Sequence, residues 1–148
     1  MESIKKTCSD LIHMSGEPKD SVEHTLVRVM QTINHEYGNV FEEINNKLLD
    51  EPNKIEFLSN VLDKIFYDGV YNWGRVVIAI SLTRAVDIPV NMRVEMGELV
   101  ANKLSQWIYD NGGFEVGFVE HFKEPAGYLK NVIWILGTIG FTIIASIL

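Results

Sequence analysis

Asp68-Gly69-Val70-Tyr71-Asn72-Trp73-Gly74-Arg75-Val76-Val77-Ile78-Ala79-Ile80-Ser81-Leu82 is the stretch that decides the fold of this 148-residue chain. From Trp73 onward, apolar residues occupy nearly every position, so no period separates a wet face from a dry one. A helix that is hydrophobic all round belongs inside a bundle. The β-branched run Val76-Val77-Ile78 would also suit a buried strand. No other segment reads as a strand to pair with it, however, and a lone strand would leave its backbone groups unsatisfied. The stretch therefore reads as a central helix that ends near Asp87-Ile88-Pro89.

Outward from this centre the apolar pattern is helical. Upstream, Ile55, Leu58, Val61, Leu62, Ile65 and Phe66 place a helix over 54–67, stopped at Asp68-Gly69. Before it, Val22, Leu26, Val29, Met30, Ile33 and Tyr37 form one stripe, opened by an N-cap at Asp20-Ser21. Gly38-Asn39 is expected to bend or break that helix, with Val40, Phe41, Ile44 and Leu48 forming a shorter one. The first segment, 2–14, carries Ile4, Cys8, Leu11 and Ile12 on one face. Downstream, Val94, Leu99, Val100, Leu104, Trp107 and Ile108 mark a helix over 90–110, stopped by Asn111-Gly112-Gly113 and followed by a short segment from Phe114 to Phe122. The expectation is an all-α domain over 1–127, with about seven helices around one buried helix.

Residues 128–148 read as a separate tail. Asn131 to Leu148 holds no charged side chain, and eighteen helical residues reach roughly 27 Å, close to the ~30 Å of a bilayer's hydrocarbon core. Tyr128 and Lys130 precede it as interfacial residues. The tail is expected to be a membrane anchor, with a buried core helix or a segment lying in the domain's own groove as alternatives. Gly137-x-x-Gly140 offers a small-residue face, which leaves homodimer formation open.

Composition excludes several classes of function. The net charge is −7 and no basic block occurs, which argues against a nucleic-acid partner, since a phosphate interface needs a concentrated positive stripe. The single cysteine, Cys8, permits no intrachain disulfide and reads as a packed side chain. Met1 to Lys6 lacks the apolar core of a signal peptide, so the chain is expected to start in the cytosol. Four histidines, at 13, 24, 35 and 121, share no metal-ligand spacing. Glu42-Glu43 reads as a solvated helix face, and Gly112-Gly113 follows a helix rather than the strand that precedes a phosphate cradle. No catalytic residue, metal or cofactor is expected.

The central stretch resembles the first homology region of the Bcl-2 family, whose hallmark is Asn-Trp-Gly-Arg, here Asn72 to Arg75. The Asp-Gly spacing before it is most similar to the myeloid-cell-leukaemia and Bax branches. Trp107-Ile108-Tyr109-Asp110-Asn111-Gly112-Gly113-Phe114, about 34 residues on, resembles the second homology region, which continues in Phe118-Val119-Glu120. The resemblance covers roughly residues 20–148. It departs from the family pattern at Leu82-Thr83, in place of Phe-Gly, and at Phe114, in place of Trp. One extra residue also stands between Phe114 and Phe118. The short connections suit a compact viral copy as well as a cellular protein.

The resemblance implies an inhibitor of apoptosis that holds an amphipathic helix in a surface groove. The partners would be third-homology (BH3) helices of pro-apoptotic relatives of the Bim, Bak and Bax type, with four apolar anchors and an aspartate. Arg75 would receive that aspartate, Asn72 would assist by hydrogen bonding, and Gly74 would let the partner backbone approach. Ile33, Tyr37, Val40, Phe41 and Ile44 would line one wall, and Val61, Leu62 and Ile65 the other. Val77, Ile78 and Leu82 would form the floor. The tail would place the protein on the cytosolic face of the mitochondrial outer membrane or the endoplasmic reticulum.

The resemblance also bears on whether the chain is receptor or ligand. Its own third-homology stretch, Leu26 to Gln31, has Met30 and Gln31 where ligand helices have Gly-Asp, which favours a receptor. The alternatives are a pore-forming killer of the same fold and a helical scaffold that binds no ligand helix.

Overall fold

The computed structural model describes residues 1–123, so what the sequence leads one to expect of 124–148, the membrane-anchor tail included, lies outside the described residues. The described residues fold into helices α1 (Glu2–Ile12), α2 (Ser21–Leu49), α3 (Lys54–Ile65), α4 (Trp73–Ala85) and α5 (Val90–Asp110). A π-helical turn, Gly113–Phe118, then leads into a last helical turn, Val119–His121. Among the described residues no helix is long and apolar enough to cross a membrane.

Side-chain caps open three of the helices. The Asp20 carboxylate accepts from the Glu23 amide at 2.8 Å, Asn53 from Glu56 at 3.1 Å and Asn72 from Arg75 at 2.9 Å. Each satisfies a backbone donor that has no partner within its helix.

α2 differs from expectation, because it runs unbroken through Gly38-Asn39. A glycine inside a helix costs about 1 kcal/mol relative to alanine. Here Val40, Phe41, Ile44 and Leu48 stay in helical register with Leu26, Val29 and Ile33, and all seven are buried. Burying four more apolar side chains, at ~1.5–3 kcal/mol each, outweighs that penalty.

α4 is the core. Every residue from Trp73 to Thr83 is buried, as the featureless apolar run requires. α1 and α5 pack together on one side of it, while α2 and α3 contact it as well. Two arginines fasten this arrangement. Arg84 donates to the carbonyls of Leu11, Ile12 and Met14, closing the C-terminal end of α1 against α4. Burial, with the Arg93 charge beside it, lowers the Arg84 pKa. Arg93 donates to the carbonyls of Thr83 and Arg84, which the end of α4 leaves without helical partners, and to those of Val86 and Ile88 in the connection that follows. Asn45 of α2 pins the same corner, donating to the Ala85 carbonyl and accepting from the Asp87 amide. Cys8 is buried between α1 and the core, and burial pushes its thiol up to about 12. The reactive thiolate is thereby suppressed.

Candidate groove at the head of the central helix

The head of α4 is held by aromatic packing. The Trp73 ring lies 5.0 Å from that of Trp107 on α5, and 6.2 and 5.6 Å from those of Phe114 and Phe118 on the π-helical turn. The extra residue between Phe114 and Phe118 is absorbed there. The Gly117 amide reaches back five residues to the Gly112 carbonyl at 3.1 Å, which is the hydrogen bond of a π-bulge. Gly112 and Gly113 supply the turn before it at φ +94 and +71, backbone values that residues with a Cβ rarely adopt.

Arg75 sits one turn into α4 and is only 7% exposed. Its guanidinium is already engaged. Nη1 and Nη2 both donate to the Asp68 carboxylate, Nη2 at 3.0 Å, and Nη1 also donates to the Val70 carbonyl at 2.8 Å. The Nε has no partner among the described residues. Asp68 and Val70 belong to the turn joining α3 to α4, which is shaped by Gly69 at φ +74 and by the Val70 amide donating to Asp68 at 3.1 Å. Sequence reasoning missed this pairing. The signal lay in the acid of Asp-Gly standing seven residues before the arginine, close enough for a tight turn to fold back.

The Arg75 guanidinium, followed by the Val70 amide, holds the Asp68 carboxyl down at about 2. This gives a pH prediction with a definite sign. Because the folded-state value is depressed below the ordinary 3.8, the pair's contribution to stability is present above pH ~4 and is lost as the pH falls towards ~2. Acid unfolding of an Asp68→Asn variant, followed by circular dichroism, should therefore show a shallower loss of stability than the wild type across that window.

The remaining expected groove residues fall into two groups. Asn72 serves as the cap of α4, and Tyr37 is half-buried. Gly74, Ile33, Val40, Phe41, Ile44, Val61, Leu62, Ile65, Val77, Ile78 and Leu82 are all buried, so the residues expected to form the walls and floor are core in this structure. An open cavity of about 590 Å3 lies between the end of α2 and α3. Lys47, Glu51, Phe57, Asn60, Val61, Asp63 and Lys64 line it. Of the expected residues only Val61 reaches this cavity. Lys103 of α5 ties α3 down through Asp63, itself on the cavity's lining, at 3.3 Å and through the face of Phe66 at 5.6 Å.

A bundle of four helices packed on one buried helix, headed by Asn-Trp-Gly-Arg, can be compared with known proteins. A family model described as apoptosis regulator proteins, Bcl-2 family, matches residues 26–114, more than half of the chain. This chain belongs to the Bcl-2 family. As a member it is a regulator that acts by binding partners, not an enzyme. Bcl-2-related protein A1 of Bos taurus is 27% identical in an alignment 137 residues long that covers 84% of this chain and 71% of the relative. Among solved structures, the zebrafish pro-survival protein NRZ in complex with the Bad BH3 segment matches with a TM-score of 0.68 at 21% identity, covering 82% of this chain and 93% of that one. That likeness establishes the all-helical Bcl-2 fold.

Proposed function

We propose that this Bcl-2 family member is a survival factor that captures BH3 helices of pro-apoptotic relatives between α2 and α3, at the head of α4. The observation that carries the reading is Arg75, a planar cationic fork that α4 holds at the end of α3, where a carboxylate on a docked helix can be met bidentately. The open cavity beside α3 gives an apolar anchor a place to enter, next to Phe57 and Val61. The zebrafish neighbour, a pro-survival protein, is complexed with such a segment from Bad.

The chain's own third-homology stretch supports the receptor role. Within it Leu26 and Val29 are fully buried, and Arg28 is engaged with the Phe122 carbonyl. That face cannot be offered to a partner without opening the core. Residues 128–148 would tether the protein to the cytosolic face of the mitochondrial outer membrane or the endoplasmic reticulum.

The test is titration of a fluorescent Bad BH3 peptide into the full chain in mild detergent, with amide chemical shifts recorded alongside. A Kd below ~1 μM, equivalent to about 8 kcal/mol, is expected, with shifts concentrated in α3, the second half of α2 and the head of α4. Absence of binding together with permeabilisation of liposomes would transfer the chain to the pore-forming reading.

A further inference from the structure

The turn between α3 and α4 places a carboxylate of this chain where a partner's carboxylate is expected to go. The two oxygens of Asp68 take both Nη groups of Arg75, as a bidentate ligand acid would. The Asp68 side chain is 31% exposed and that of Arg75 only 8%, so Asp68 lies between the guanidinium and solvent. An incoming acid meets Asp68 first.

The turn is built to move locally. Its ends are closed by the stacked rings of Phe66 and Tyr71, 4.6 Å apart. Between them Tyr67 and Val70 point into solvent at 63% and 48% exposure. Displacing residues 67–70 therefore disturbs the three hydrogen bonds from Arg75 and little packing.

We propose that Asp68 is a built-in stand-in for the ligand's aspartate, which makes capture at Arg75 an exchange of one carboxylate for another and makes Asp68 a specificity-determining residue. The inference rests on the helix-capture reading above. Its physical basis is the cost of leaving a buried guanidinium without an acid. A receptor whose arginine is unpaired must obtain a carboxylate from its ligand and rejects helices that lack one. Here a helix without the acid leaves the Asp68–Arg75 pair seated and loses little. Asp68 therefore broadens the range of helices accepted, and it weakens the advantage of those that carry the acid.

A double-mutant cycle tests this. The Bad BH3 peptide and its Asp→Ala form are titrated into the full-length wild type and into full-length Asp68→Asn, which keeps a side-chain oxygen for the Val70 amide but removes the charge. The expected loss from the peptide change is less than about threefold on wild type and more than about thirtyfold on the variant, a coupling of at least tenfold or ~1.4 kcal/mol. Equal losses in the two backgrounds, or loss of binding to wild type by the Asp→Ala form alone, would overturn the proposal while leaving helix capture intact, whereas failure of both peptides to bind wild type would remove both.

A second readout needs no variant, should Asp68→Asn fold poorly. The Asp68 carboxyl of the wild type is titrated by carbon NMR with and without the Bad peptide. Return of its titration to the ordinary aspartate range on binding supports exchange. A carboxyl that stays near its free-state position would mean that both acids share the guanidinium, the second through the free Nε edge, and would overturn it.

Discussion

Replacing Trp73 by alanine lowers the stability of the domain by about 3–5 kcal/mol, the range for a large aromatic removed from a core. Trp73 is 5% exposed, and its ring meets Trp107, Phe114 and Phe118 together. Phe118 in turn lies 5.1 Å from Phe122, so the indole is the keystone of an aromatic row joining α4, α5 and the π-helical turn. Three rings lose their common contact when the indole is removed, which places the loss near the top of the range. For a domain of this size the midpoint of thermal unfolding should fall by on the order of 10–20 °C. Trp73→Phe retains one ring and should lose less than half as much. Denaturant unfolding of both variants, followed by far-ultraviolet circular dichroism, is the check. A Trp73→Ala loss below about 1 kcal/mol would show that the cluster is not cooperative.

The order and type of the helices were legible in the sequence because each depended on a pattern that physics reads locally. The buried α4 followed from the absence of any polar face between Trp73 and Thr83, and α5 from its stripe and from the glycines that stop it. Asp20 was legible as a cap. The unbroken α2 was not, because a Gly-Asn pair is a local signal for a bend. The outcome was set by a tertiary balance, in which four buried side chains beyond the glycine weigh more than its backbone entropy.

The candidate site was legible in part. Arg75 and Asn72 could be named because their motif fixes them at the head of a helix. Their actual partners were not named, since the seven-residue spacing of Asp68 and Arg75 allows the pairing but only the way the intervening turn folds back decides it. The groove walls show a similar limit. Ile33, Ile44 and Ile65 lie at spacings that serve a groove and a core equally well, and in the free domain they are core. Arg84 and Arg93 were not singled out at all. Their seven carbonyl partners are backbone atoms, which leave no trace in side-chain identity.

Gly117→Ala should be the most damaging single-methyl change among the described residues. A Cβ built at Gly117 would lie 2.0 Å from the Asn111 carbonyl oxygen and 3.0 Å from the Trp73 ring. The first of these neighbours is backbone and cannot rotate away. The other glycines of this corner differ in kind: Gly112 and Gly113 are required by their positive φ, whereas Gly117 is required only by space. To admit the methyl, the bond from the Gly117 amide to the Gly112 carbonyl has to open, and the π-helical turn with it. Phe114 and Phe118 would then leave Trp73. The expected cost is at least ~2–3 kcal/mol, at the upper end for inserting a methyl group into a packed site. It should appear first as local loss of order, with amide hydrogens of residues 113–122 exchanging faster than those of α4. Hydrogen exchange resolved by residue separates this from global destabilisation. Uniformly faster exchange across α1 to α5 would mean that the π-helical corner and the bundle unfold as one unit, and unchanged exchange would mean that the turn accommodates a side chain the geometry forbids.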